Sequence, residues 1–416
     1  MKKYHIITYG CQTNHSDSER ISSVLEDMGY SFVEDKYNAD LVVINSCSIR
    51  QSAVNRIYGQ IENIKNGKVI VTGCILKRDG KKLSKKADLI LDTKDLLAWP
   101  EIIDGLNKKD LDNYFKIKPK NQGGLTALIP IMTGCNNFCS YCVVPYTRGR
   151  ELSRPLDDII EEVRLANEKG NKEVWLLGQN VNSYKGKDSK GKEVNFCQLI
   201  KEVEKVPGNF WIRFTSSHPK DFSDELIEII KGSEKITKYL HLPVQSGDDE
   251  ILERMNRPYK ISDYKKFVQK IKKELPDLTL STDVIVGFPK ETEEQFQKTA
   301  DLFREIPYDM AYISKYSPRP GTPSFKLKDD ISNVEKERRW TIINEILMKN
   351  NQQRNKFLIN KTVEALIEKE KDGFIIGKTK EYKSIKVKGP RSLVGNFVKI
   401  KVNKSLSWGL EGDLTN

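Results

Sequence analysis

Apolar positions along the chain follow three successive patterns. In the first, runs at residues 5–10, 41–46, 68–73 and 89–91 are short, apolar and rich in β-branched side chains, which predicts strands. Between them apolar residues return every three or four positions. Ile21, Val24, Leu25 and Met28 share a face within 18–28, and Ile57, Ile61 and Ile64 share one within 53–64, which predicts helices. Strand and helix alternating in this way predict a parallel sheet covered on both faces. The second pattern runs from about 121 to 350. Strand-like runs at 127–132, 173–177, 211–214, 239–242, 281–286 and 311–314 alternate with helical stretches at 156–169, 226–230, 262–275 and 293–306. Six strands with helices after most of them predict a partial (β/α) barrel, whose chemistry belongs on the loops at the carboxyl ends of its strands. In the third, after residue 353, apolar and polar residues alternate singly, as in half-buried strands. A polar stretch at 108–124, with Pro119 and Gly123-Gly124, predicts a linker. The expected organisation is therefore α/β: a sheet domain over 1–113, a barrel domain over 121–350 and a small β-barrel over 353–416.

Charge sharpens the last of these. The chain has 416 residues, 38% hydrophobic and 31% charged, with a net charge of +12, which favours a polyanionic partner. Residues 353–416 hold 14 Lys and Arg against 7 Asp and Glu, a net of +7. Lys386 and Lys388 interleave with Ile385 and Val387, and Lys399 and Lys401 with Val398, Ile400 and Val402, so the lysines are expected on an outer face. A basic β-barrel of this kind suits RNA; an ordinary solvated lysine face is the plainer alternative. No apolar run approaches the ~20 residues that span a bilayer, so no membrane association is expected. The N-terminus lacks a signal-type apolar segment, which leads us to expect a cytoplasmic protein.

Cysteine placement carries the chemistry. The seven cysteines are odd in number and their spacings do not form a secreted disulfide framework. With four histidines in the chain (His5, His15, His218, His241), cysteine is the main metal-binding material. Cys135, Cys139 and Cys142 lie within ten residues, spaced C-x3-C-x2-C, directly after the first barrel strand. A structural zinc site wants four ligands, and no fourth cysteine or histidine is near. Three thiolates on a four-iron cluster instead leave one iron open to chelate a small molecule. Cys11, Cys47 and Cys74 are scattered in sequence, yet each follows a predicted strand of the first sheet. Ligands of such sheets bind beyond the carboxyl strand ends. Topology would thus converge them into a second three-thiolate site; three buried cysteines acting as small hydrophobes is the alternative. Cys197 has no cysteine neighbour and reads as a packed thiol, and His218 and His241 read as hydrogen-bonded core residues.

The words around these cysteines carry a family resemblance. Thr133-Gly134-Cys135-Asn136-Asn137-Phe138-Cys139-Ser140-Tyr141-Cys142 has the spacing of the radical S-adenosylmethionine (SAM) superfamily. Its continuation, Val143-Val144-Pro145-Tyr146-Thr147-Arg148-Gly149-Arg150-Glu151, resembles the methylthiotransferases. So do Tyr9-Gly10-Cys11-Gln12-Thr13-Asn14, Asn45-Ser46-Cys47-Ser48-Ile49-Arg50 and Thr72-Gly73-Cys74, although Thr13 and Ser46 depart from the usual wording. The terminal segment is similar to the TRAM RNA-binding domain, with Gly377-Lys378-Thr379 in place of the commoner Gly-Arg-Thr.

The resemblance implies a flavodoxin-like N-terminal domain holding an auxiliary 4Fe-4S cluster on Cys11, Cys47 and Cys74. It implies a radical SAM barrel holding a second 4Fe-4S cluster on Cys135, Cys139 and Cys142. Tyr141 would pack near the adenine of SAM, with Gly178, Gln179, Gln245 and Gly287 as further SAM contacts, and Lys386, Lys388, Lys399 and Lys401 would meet RNA. The implied reaction is methylthiolation of C2 of an isopentenyladenosine beside the anticodon of tRNA, in a monomer served by a sulfur donor or carrier and a reductant such as flavodoxin or ferredoxin. The sibling substrates, threonylcarbamoyladenosine tRNA or a ribosomal-protein aspartate, are the alternatives within enzymes. A non-catalytic iron–sulfur RNA-binding protein is the alternative outside them.

Overall fold

A computed structural model describes residues 1–47, 51–106, 114–120 and 124–415. The Ser48-Ile49-Arg50 end of the second cysteine word lies outside the described residues, as do 107–113 and 121–123 of the polar stretch.

The N-terminal sheet comprises β1 (Lys3–Thr8), β2 (Ser31–Phe32), β3 (Leu41–Ser46), β4 (Lys68–Gly73) and β5 (Leu89–Ile90), all parallel, in the order β2-β1-β3-β4-β5. This is the flavodoxin-like order. Helices α1 (Gln12–Asp27), α2 (Gln51–Asn63) and α3 (Lys77–Leu83) connect the strands. β3 reads as an unbroken apolar run because both faces are covered. Leu41 and Val43 pack with Ile21, Val24 and Leu25 of α1, whereas Val42 and Ile44 pack with Ile57 and Ile61 of α2. α1 begins six residues before the helical pattern suggested. Its first turns carry Thr13, Asn14, Ser16 and Asp17, which are polar yet buried and so leave no apolar periodicity. Cys11 is its N-cap residue.

The second unit carries β6 (Thr126–Pro130), β7 (Glu173–Leu177), β8 (Trp211–Phe214), β9 (Tyr239–His241), β10 (Thr279–Val286) and β11 (Met310–Lys315). Two three-stranded parallel sheets, β8-β7-β6 and β9-β10-β11, are joined by a parallel bridge between Ile212 and Ile236. The six strands thus follow one another around a partial barrel. Alternate residues point to the surrounding helices, among them Val174, Leu176, Ile212, Phe214, Leu240 and Leu280. The other set faces the lumen and is polar and aromatic: Glu173, Trp175, Arg213, Tyr239, His241 and Asp283. The first strand stops at Pro130. Beyond it Met132–Thr133 leaves the parallel ladder and pairs antiparallel with Leu152–Ser153, which turns the chain over the barrel mouth.

The helix Asn333–Lys356 lies against β11, where Trp340 donates its ring N–H to the Ile313 carbonyl (3.1 Å). Ile343 and Leu347 are buried against the barrel, but its apolar residues are scattered around the axis, so no amphipathic stripe announces it. The terminal unit is a closed barrel of β12 (Thr362–Lys371), β13 (Phe374–Thr379), β14 (Ser384–Lys388), β15 (Phe397–Ser405) and β16 (Leu410–Leu414). Ile385, Val387, Ile400 and Val402 fill its core.

This module docks at the amino end of the larger barrel. Trp211, the first residue of β8, packs on Phe397 with ring centroids 4.7 Å apart, and Tyr239, the first of β9, packs on Tyr382 at 4.7 Å. Arg213, buried and paired with Glu173, donates to the carbonyls of Thr379 and Lys380 (3.0 Å each). The cysteine loop sits at the opposite end. Lys386, Lys388, Lys399 and Lys401 do point outward, but acids are interleaved with them. Lys386 pairs across the ladder with Glu411, Lys399 with Glu364 and Lys401 with Asp413.

Candidate functional site

The loop carrying Cys135, Cys139 and Cys142 is shaped by its own turns and clamped by its neighbours. Gly134 has φ +76°, and a Cβ there would lie 2.1 Å from the Arg150 carbonyl oxygen. Phe138 is also left-handed (φ 49°), and the Arg150 guanidinium covers its ring at 4.3 Å. The Cys135 amide donates to the Gly149 carbonyl (3.2 Å), and the Cys142 amide to the Cys139 carbonyl (3.0 Å). From the segment after β9, Asn256 donates to the Phe138 carbonyl (2.9 Å), and the Arg254 carbonyl accepts from the Ser140 hydroxyl (2.7 Å). Arg257, itself buried, donates to Cys139 Sγ at 3.6 Å and to the Pro243 carbonyl at 2.7 Å. Burial and the neighbouring Cys139 push the Cys142 thiol up to about 12, and burial raises Cys135. Burial alone thus disfavours the thiolates, and a bound cation is what would hold them in that form.

The second triad assembles from separate strands. Cys11, Cys47 and Cys74 follow β1, β3 and β4, which are adjacent in the sheet. Gly10 has φ +122°, and a Cβ there would stand 3.0 Å from Cys47 Cβ. Gly73 has φ +91°, and a Cβ there would stand 2.4 Å from Asn45 Oδ1. The Cys74 amide donates to the Ser46 carbonyl (3.0 Å), which carries the ladder one residue past the strand end. Asn14 and Asn45 tie the ends together. Asn14 Nδ2 donates to Asn45 Oδ1 (3.0 Å) and to the Ser46 carbonyl (2.9 Å), while Asn45 Nδ2 donates back to the Asn14 carbonyl (2.8 Å). Asn14 Oδ1 accepts from Cys11 Sγ at 3.4 Å.

Arg148 joins the two triads. It lies six residues after Cys142, yet its Nε donates to Cys74 Sγ (3.3 Å), and its terminal nitrogen pairs with Asp17 (2.7 Å). Burial raises the Cys74 thiol, and the guanidinium opposes that rise. Asp17 also accepts from the Tyr114 hydroxyl at 2.5 Å. The two domains are fastened further by Arg20, fully buried and paired with Glu162, and by the Ser16 hydroxyl donating to the Leu128 carbonyl. Between them opens a cavity of ≈ 450 Å³, lined in part by Asp17, Gly73, Lys94, Thr133, Arg148 and Arg150.

Both triads fit iron–sulfur groups by donor chemistry. Each offers three sulfurs at a carboxyl strand end, with a buried guanidinium donating to one of them, the kind of hydrogen bond that tunes such clusters. Among the described residues no three His, Cys, Asp or Glu side chains converge as a single metal ion would require.

The remaining expected contacts differ in character. Tyr141 packs on Ile251, Met255, Phe288 and Tyr316 beside the cysteine loop. Gly178 is wedged so tightly that a Cβ would meet Met132 at 2.6 Å, and Gln179 Oε1 is buried with no hydrogen-bond partner among the described residues. Gln245 is 7% exposed and left-handed (φ 69°), pinned by two backbone bonds to β10. Gly287 has φ +71°, and its amide donates to Glu291 (2.7 Å). It therefore shapes the turn after β10 and does not offer that amide to a ligand. His218 is buried beside Tyr259, its pKa lowered to about 2 by burial and by the Arg257 charge, and its Nε2 has no hydrogen-bond partner among the described residues. His241 bonds Ser281 through Nδ1 (2.9 Å), and Cys197 is packed in the barrel's outer core. Sequence reading passed over Arg257, Asp17 and the cross-domain role of Arg148, since none of them sits in a pattern that marks its partner.

Comparisons with known proteins match three segments of the chain. Residues 3–92 match the model described as "Uncharacterized protein family UPF0004", 129–303 match the radical SAM superfamily, and 356–415 match the TRAM domain. A protein of Acetivibrio thermocellus named tRNA-2-methylthio-N(6)-dimethylallyladenosine synthase is 40% identical, with 99% of this chain and 91% of that protein covered. One of the same name from Carboxydothermus hydrogenoformans is 40% identical, with 99% of each covered. Among solved structures, the radical S-adenosylmethionine methyltransferase TsrM of Kitasatospora setae superposes with a TM-score of 0.52 at 14% identity, over 78% of this chain and 77% of that one. The latter likeness is one of fold.

Proposed function

The chain belongs to the family of tRNA-2-methylthio-N(6)-dimethylallyladenosine synthases, and on that premise we propose that it methylthiolates C2 of N6-isopentenyladenosine beside the tRNA anticodon. The observation that carries the reading is Arg148. A residue that follows the barrel's cysteine loop donates to a cysteine of the other triad and also lines the cavity between the domains, which supports the two sites acting together. A C2–H bond has neither an acidic proton nor a leaving group, so its replacement by a methylthio group calls for hydrogen-atom removal, a sulfur source at hand and a methyl group, which SAM would donate.

In this reading Cys135, Cys139 and Cys142 hold one 4Fe-4S cluster, and Cys11, Cys47 and Cys74 hold an auxiliary one. When bound, these groups supply the electron that cleaves SAM to a 5′-deoxyadenosyl radical and the site from which sulfur is delivered. The protein's own part is placement. Arg257 and Arg148 hold Cys139 and Cys74 in position and offset their charge. Tyr141 flanks the adenine of SAM, Gly178 and Gln179 line its methionine end, and Gln245 is a further SAM contact. Gly287 keeps the turn beneath them. The target base enters the cavity between the domains, where burial excludes water from the radical. Domains over 1–113, 121–350 and 353–416 then carry the auxiliary site, the radical site and an RNA contact through Lys386, Lys388, Lys399 and Lys401. A cytoplasmic monomer fed by flavodoxin or ferredoxin and by a separate sulfur donor completes the reading.

Mass spectrometry of tRNA nucleosides from a strain lacking the gene tests it. Restoring the gene is expected to convert N6-isopentenyladenosine to its 2-methylthio derivative. An unchanged nucleoside would overturn the substrate assignment and point to threonylcarbamoyladenosine tRNA or to protein.

A further inference from the structure

The terminal lysines lie on a module docked at the amino end of the barrel, whereas the cysteine loops lie at the other end. A different basic surface lies beside that mouth. Three residues after Cys74 the chain enters α3, and between Lys77 and Lys86 it carries six cations: Lys77, Arg78, Lys81, Lys82, Lys85 and Lys86. All six are exposed. The stretch also holds Asp79, which is turned inward and paired with the buried Arg319 (2.7 Å) of the segment after β11. Lys86 pairs with Glu62, but Arg78, Lys82 and Lys85 carry no ion pair among the described residues. Together with Tyr58 and Phe325 these residues line a cleft of ≈ 750 Å³ between α3 and the loop that follows β11, and Phe325 is 41% exposed there.

Unpaired cations along one wall, with Tyr58 beside them and Phe325 on the other wall, are what a single-stranded or looped nucleic acid requires: charge for its phosphates and flat surfaces for its bases. The Asp79–Arg319 pair removes the acid that would repel phosphate and ties this wall to a strand-end loop of the catalytic barrel. We propose that the α3 cleft is a docking surface for the RNA substrate, one that holds the backbone next to the target nucleotide at the barrel mouth. The proposal rests on the tRNA reading above and assigns the contact to the N-terminal domain.

The test is binding of a synthetic anticodon stem-loop oligoribonucleotide to the cluster-loaded full chain over a range of salt. Against wild type stand the variants Arg78→Ala/Lys82→Ala/Lys85→Ala and Lys386→Ala/Lys388→Ala/Lys399→Ala/Lys401→Ala. The first is expected to raise Kd by about ten-fold or more near 0.1 M salt and to flatten the log–log salt slope by about 2, as loss of three phosphate contacts would. In wild type, hydrogen exchange across 77–86 is expected to slow when the RNA is added, a readout that does not depend on a variant folding. Wild-type binding with an unaltered Kd and slope in the α3 variant, or no protection of 77–86, would overturn the cleft assignment and leave the enzymatic reading standing. Retained RNA affinity with slower reduction by an acidic flavodoxin would reassign the cleft to a protein partner. If wild type bound no RNA at any salt, the tRNA reading itself would fail, and this proposal with it.

Discussion

The two cysteine triads reach similar ends by different routes. Cys135, Cys139 and Cys142 share one loop, and that loop's turns at Gly134 and Phe138 set their spacing. Cys11, Cys47 and Cys74 are separated by 36 and 27 residues (47 − 11 and 74 − 47), and the register of β1, β3 and β4 brings them together. A loop-built site stands or falls with a local conformation. A sheet-built site inherits the stability of its whole domain, and anything that shifts a strand end also shifts a ligand. The asparagine lock of Asn14 and Asn45 is the local reinforcement that such a site needs.

That contrast can be pressed at graded points. The largest effect is expected from Cys139→Ala, which should cut 5′-deoxyadenosine formation from SAM by about 1,000-fold or more while leaving the unfolding of the N-terminal domain unchanged. Cleavage close to wild type would remove the loop triad from the chemistry. Next, Arg148→Ala should slow thiomethyl product formation about 10–100-fold, as loss of a group that positions a metal ligand commonly does. SAM cleavage should change much less. Equal losses in both would show that Arg148 serves its own loop and not Cys74. Lysine at 148 should recover little, because it lacks the Nε donor that meets the sulfur while a second nitrogen meets Asp17.

Gly73→Ala tests the inheritance of domain stability. The residue has φ +91°, and a Cβ would stand 2.6 Å from the Ser46 carbonyl oxygen, so backbone must move. Denaturant unfolding should show a loss of about 3 kcal/mol in the N-terminal domain. Gly134→Ala, in contrast, should impair SAM cleavage with little change in that transition. The smallest effect concerns pH. His218 has a folded pKa of about 2 against an ordinary 6.5, so the unfolded chain binds the extra proton between those values. Its contribution to stability is complete above 6.5 and declines as pH falls toward 2. Thermal unfolding between pH 7 and 5 should therefore fall more steeply in wild type than in His218→Gln. Parallel profiles would mean that His218 is not held neutral by burial.

The ease of reading the chain follows the same contrast. The loop triad is visible as a spaced motif, and the sheet triad becomes visible once each cysteine is seen to end an apolar run. Both depend on apolar pattern, which marks strands and one-sided helices well. The first turns of α1 escaped that reading because Asn14 and Asp17 are buried by hydrogen bonding, which leaves no hydrophobic period. The long helix Asn333–Lys356 escaped it because its apolar residues are scattered around the axis. Arg148 and Arg257 are placed by tertiary contacts across domains or loops, and nothing near them in sequence names those partners. The lysine alternation of β14 and β15 was legible, but the acids across the ladder and the docking end of the module were not, since both depend on strand pairing.

The most direct test of the two-site account measures two products in one reaction. Reconstituted Cys74→Ala, incubated with reductant, SAM and tRNA carrying N6-isopentenyladenosine, should still form 5′-deoxyadenosine and should form no 2-methylthio-N6-isopentenyladenosine by mass spectrometry. Thiomethylated nucleoside made at the wild-type rate by this variant would contradict the account, since the sulfur would then come from somewhere other than the sheet-built triad.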